Sequence, residues 1–114
     1  MSTSYTDEMM RERLAQAAPY TLVVLRTTDK FGMDGTDKII WEHGRRNMAL
    51  QADGVMPIVC PVGDQTGLAG IAIFVDDADT VRSIMDDDPA IQAGVLSYTV
   101  HPCRGFPGSA LPAK

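Results

Sequence analysis

The sequence predicts an α+β domain built on a four-stranded antiparallel sheet, and three observations carry that prediction. Four short segments rich in β-branched and aliphatic residues are each bounded by turn residues. Two segments of helical periodicity fall between the first and second of these and between the third and fourth. The middle two are separated only by GDQTG, a linker with glycine at each end that suits a hairpin.

A leading helix is expected over 6–18. Ser4 or Thr6 can cap it, Asp7 and Glu8 fill the favoured acidic first turn, and Met10, Leu14 and Ala17 form a stripe. YTLVVLRT, residues 20–27, reads as a strand by its β-branched content. TDKFGMDGTDK then holds two glycines and three aspartates, which makes it a loop. A second helix is expected over 37–53, with Asp37 placed to cap it and Gly54 to end it.

VMPIVCPV (55–62) and LAGIAIFV (68–75) are the hairpin strands. The next helix opens on an acidic cap cluster and turns Ala78, Val81, Ile84 and Met85 to one side. The last strand is VLSYTVH (95–101), and 103–114 reads as an irregular proline-rich tail.

The order after the leading helix is βαββαβ, the ferredoxin-like arrangement, in which the first and third strands are central. Proline placement agrees: Pro57 and Pro61 are tolerable only on an edge strand, whereas 20–27 and 68–75 contain no proline. In this fold the helices cover one face of the sheet. Yet Tyr20, Leu22 and Val24 lie on one side of the first strand and Val23 and Leu25 on the other, and the 68–75 strand is also apolar on both sides. A bare apolar face asks for cover, so a homodimer packed through it is expected.

At 114 residues the chain holds one domain, with a core over about 20–102 and extensions at each end. Its net charge of -5 argues against nucleic acid, which needs a cationic footprint. The N-terminal stretch carries five charged side chains and no long apolar run, and no segment is apolar enough to span a membrane. A cytoplasmic location is expected, with Cys60 and Cys103 as free thiols and Cys60 buried in its strand.

No phosphate-binding loop, dinucleotide fingerprint, zinc-protease motif or CxxC pair occurs, so neither a metal nor a cofactor is expected. His43 and the DDDP run at Asp86–Pro89 remain. A lone helix histidine is more often packed or solvated than catalytic. Asp88, before a proline, suits the cap of a short helical turn that Gly94 closes, with Asp86 and Asp87 solvated. A carboxylate can cap with one oxygen and still meet an imidazole with the other.

His43, Gly54, Asp88-Pro89 and Ala93-Gly94 leading into VLSYTVHP together resemble the YCII-related (YciI-like) domain, of the dimeric α+β barrel proteins. The resemblance covers about residues 20–102 and implies a dimer whose clefts hold a His–Asp pair, here His43 and Asp88. One branch of that family resembles a lyase acting on a chlorinated hydroxyquinol, and barrel relatives include muconolactone isomerases and small-ring monooxygenases. The chain departs from the family at Cys60-Pro61, where Gly-Pro is usual, and at Gly44, where an apolar residue is commoner. These departures bear on the substrate more than on the fold.

Two functions follow. In the first, a cofactor-free lyase or isomerase uses His43 to move a proton of a small hydroxylated ring while Asp88 orients the imidazole. Arg45 or Arg46 then holds an anionic group, and Trp41 or Tyr98 lines the pocket. In the second, a non-catalytic dimeric module binds a small ligand or a partner protein. As a cleft residue His43 would be silent for stability when replaced by alanine.

Overall fold

The computed structural model describes residues 2–114. After a leading helix α1 (Asp7–Ala15) come β1 (Ala18–Thr27), α2 (Thr36–Ala52), β2 (Ile58–Pro61), β3 (Leu68–Phe74), α3 (Ala78–Asp86), α4 (Pro89–Gln92) and β4 (Leu96–Gly105). The sheet is wholly antiparallel in the order β2-β3-β1-β4, so the fold is ferredoxin-like with β1 and β3 central. Pro61 of β2 and Pro102 of β4 lie on the edge strands, where a missing N–H costs no ladder bond, and Pro19 lies at the start of β1, before its pairing with β3 begins at Thr21.

One face of the sheet is packed and the other is not. Val23 and Leu25 of β1 join Ala72 and Phe74 of β3 in a core closed by Val81 and Met85 of α3 and Ala90 of α4. Thr21 shares that face and satisfies its buried hydroxyl by donating to the Asp76 carbonyl at 2.7 Å. Leu22, Val24, Ile71 and Ile73 alternate with these residues, pair across the sheet and are only half-buried.

Several expected boundaries move, each for a local reason. β4 continues through Pro102 to Gly105, so the first residues of the expected tail are strand. They pair with Ala18–Tyr20, which pulls β1 back by two residues and stops α1 at Ala15. β2 is shorter than expected because Val55 and Met56 donate their N–H groups to the Leu50 carbonyl, closing α2 instead of joining the ladder. Asp37 does not cap α2: Gly35, at φ 86°, is the N-cap, and Asp37 lies inside the first turn. Cys60 is half-buried rather than buried, and both cysteines are free.

α1 is capped by Thr6, whose Oγ1 accepts the Met9 N–H, yet it buries no residue. The Cα radius of gyration is 16.6 Å, against about 13 Å for a compact domain of this length. The excess reflects the terminal extensions. Among the described residues, no helix is long and apolar enough to cross a membrane.

Gly70 marks where β2 and β3 lie closest. A Cβ there would sit 2.8 Å from the Cys60 carbonyl oxygen, which is backbone and cannot step aside. Gly70→Ala is therefore expected to lower stability by about 1–3 kcal/mol, read from the urea midpoint; an unchanged midpoint would contradict this packing.

Candidate active site

Two elements meet to form a buried polar cluster. α4 is a single turn opened by Pro89, and the extended backbone of Asp88 (φ -74°, ψ 134°) is what a residue before proline prefers. Asp88 caps this turn, its Oδ1 accepting the Ala90 N–H at 2.8 Å. α2 passes over α4 and delivers His43, whose Nδ1 lies 2.9 Å from Oδ1 and 2.8 Å from Oδ2 of Asp88. Asp88 is 1% exposed and His43 9%. The cap and the imidazole partner are thus one carboxylate.

Two more side chains complete the cluster from α2, at the i+3 and i+4 positions that share a helix face with His43. Arg46 brings Nη1 to 3.6 Å from Asp88 Oδ2, and that nitrogen is buried without a hydrogen-bond partner. Asn47 places Nδ2 3.2 Å from His43 Nε2. Burial works to raise the Asp88 pKa. The hydrogen bond and charge of His43, the Ala90 N–H and the Arg46 charge outweigh it and hold Asp88 below the ordinary carboxylate value.

An ionised Asp88 can only accept, so Nδ1 carries the proton of a neutral His43 and Nε2 carries the lone pair. Asn47 then donates to Nε2 through its amide nitrogen, an orientation assigned from this network. The result is an imidazole with its basic nitrogen turned away from the carboxylate and met by a neutral amide.

His43 and Asn47 line a cavity of about 740 Å³ between α2 and the sheet. Its other walls are largely apolar, including Leu25, Ile40, Val59 and Leu96, with Thr27 and Gln65 at the polar positions. A cavity of this size and character suits a small organic ligand oriented by a few polar groups. Beside it, over the outer side of α2, lies a groove walled by Phe31, Ile40, Trp41, Gly44, Arg45 and Met48.

The structure brings His43 and Asp88 together but redistributes the other expected site residues. Arg46 faces Asp88 and does not line the cavity. Arg45 is exposed and paired with Glu42 at 3.1 Å, and Trp41 is 70% exposed; both lie on the outer groove. Tyr98 does not reach the cavity: its hydroxyl donates to Asp86 at 2.7 Å, and burial together with that carboxylate pushes it up to about 12. Asp86 and Asp87 are both exposed, as expected, and Asp86 also accepts the Tyr98 hydroxyl.

Sequence reasoning missed Asn47, although its place four residues after His43 was a usable signal. His43→Ala is not a silent change either, because it strips a buried carboxylate of its principal partner. Among the described residues, no group of three or more His, Cys, Asp or Glu is placed to hold a metal ion.

No protein-family model matches the sequence, and no curated protein matches it. Among solved structures the chain is similar to the 5-chloro-2-hydroxyhydroquinone dehydrochlorinase TftG from Burkholderia phenoliruptrix AC1100, in complex with 2,5-dihydroxybenzoquinone. The match has a TM-score of 0.52 and 17% identity, covering 72% of this chain and 90% of that one. At that identity the likeness speaks for the fold.

Asp88→Ala removes a cap and the acceptor of a buried imidazole, and is expected to cost about 2–3 kcal/mol. Asp88→Asn keeps the cap. Because the pKa of Asp88 is lowered on folding, the unfolded chain takes up its proton first. The stability owed to this group is full above about pH 4 and is lost as pH falls through the lower folded value. Urea midpoints between neutral and strongly acidic pH should fall more steeply below that point in wild type than in Asp88→Asn. Parallel curves would contradict the assignment.

Proposed function

We propose that the chain is a cofactor-free lyase or isomerase, acting on a small hydroxylated ring by proton transfer through His43. The observation that carries this reading is the buried His43–Asp88 contact at 2.8 Å, with His43 lining a largely apolar cavity. In the lyase form Asn47 releases Nε2, whose lone pair then takes a proton from the ring. The electron pair left behind expels a leaving group such as chloride, and the imidazolium returns its proton to solvent. In the isomerase form the same proton returns to a different carbon.

Asp88 orients the imidazole and stabilises its protonated form, and Asn47 accompanies the reacting nitrogen. Membership of the YCII-related family is part of this proposal. It is supported by the ferredoxin-like fold and by the resemblance of His43, Asp88-Pro89 and Ala93-Gly94 to that family's pattern. The likeness to TftG agrees with a hydroxylated, quinone-like substrate. Assembly as a homodimer through the face bearing Leu22, Val24, Ile71 and Ile73 is proposed on the ground that these apolar residues are only half-buried and, among the described residues, no helix packs on them.

A second reading, a non-catalytic dimeric small-ligand binder, is favoured by one observation. Among the described residues the cavity wall contains no lysine or arginine to hold an anionic intermediate.

The test is turnover of 5-chloro-2-hydroxyhydroquinone, followed by ring absorbance and chloride release, on protein that elutes at twice the chain mass. His43→Ala and Asp88→Asn are expected to lose about 10²–10⁴-fold in rate while eluting like wild type. Turnover that survives both substitutions would sink the proton-transfer mechanism. Binding of the ring without turnover would favour the second reading, and elution at a single chain mass would remove the dimer.

A further inference from the structure

In the middle of α2 stands a glycine that the fold does not require. Gly44 is not among the positive-φ residues, and a Cβ built on it would meet no atom within 4 Å. Glycine inside a helix weakens it relative to alanine, so stability alone favours a side chain here. Its missing side chain leaves space open where two hollows adjoin. The cavity that holds His43 and the outer groove of about 610 Å³ share Phe31, Ile40, Gly44 and Met48 as walls.

The groove is apolar beyond what an ordinary helix surface shows. Trp41 is 70% exposed, Met48 55% and Phe31 46%. Large apolar side chains exposed together mark a binding surface. Its two charged members are Asp37 and Arg45, and Arg45 is engaged by Glu42.

Resting on the reading that the cavity takes a hydroxylated ring, we propose that cavity and groove are one ligand site. The ligand then carries an apolar arm, alkyl or aryl, that leaves the ring past Gly44 and lies across Trp41 and Met48. The polar end of the ligand meets His43 and Asn47, and the arm meets the apolar wall. The groove is assigned to the ligand, and not to a docked protein surface, because it shares four wall residues with the cavity. A docked surface loses contact area where Gly44 lacks a side chain.

The test compares two ligands by calorimetric titration, 2,5-dihydroxybenzoquinone and its 3-hexyl derivative, on wild type, Trp41→Ala and Gly44→Leu. The hexyl derivative is expected to bind wild type at least roughly ten-fold tighter than the parent, since its methylenes leave water. That ratio should fall several-fold in Trp41→Ala, with affinity for the parent unchanged, and approach one in Gly44→Leu. Gly44→Ala should melt above wild type.

Equal binding of both ligands to wild type overturns the arm alone and leaves the ring reading standing. A ratio that survives in Gly44→Leu overturns it as well. A change of oligomeric mass in Trp41→Ala or Gly44→Leu would assign the groove to a contact between copies, against the proposal. Failure of both ligands to bind wild type would overturn the ring reading, and the arm with it.

Discussion

The site depends on keeping one carboxylate ionised at 1% exposure. Burying a charge costs several kcal/mol unless each oxygen finds compensation. Asp88 finds it from two elements at once: the Ala90 N–H belongs to its own turn, and the imidazole and guanidinium come from α2. α2 is therefore tied to α4 by polar contacts at its middle. Leu25, Val59 and Leu96 line the cavity beside that junction.

The charge balance of the cluster decides what it can do. With Asp88 ionised and Arg46 cationic, the neutral form of the His43 imidazole leaves the three groups summing to zero. A proton arriving on Nε2 makes the cluster positive, because Arg46 already claims part of the carboxylate's charge at 3.6 Å. In the proposed proton transfer, the natural counter-charge is the anion that the substrate becomes when it gives up that proton.

Much of this architecture was legible because it is local or depends on order. The βαββαβ sequence, the proline-bearing edge at β2, the Asp88 cap and the Gly54 stop all follow from residues next to one another in the chain. The extension of β4 was hidden because Pro102 looks like a breaker until its strand is known to be an edge. The partners of Tyr98 and Arg46 were hidden for a different reason. Tyr98 has Asp86 within reach only once β4 is laid beside α3, and Arg46 meets Asp88 only when α2 crosses α4. The cavity walls come from five elements and the loops between them, and no single segment announces them. Asn47, which meets His43 Nε2, was readable from its spacing on one helix face.

The account turns on which imidazole nitrogen of His43 is basic, and ¹⁵N spectroscopy of the histidines observes that directly, with His101→Gln to assign the two rings. In the neutral form the account requires Nδ1 to be protonated and Nε2 to be bare. In Asp88→Asn the side-chain oxygen remains committed to the Ala90 N–H, which turns the amide nitrogen to Nδ1 and should move the proton to Nε2. A tautomer that is Nε2–H in wild type, or one that ignores Asp88→Asn, would contradict the dyad as the working centre of this protein.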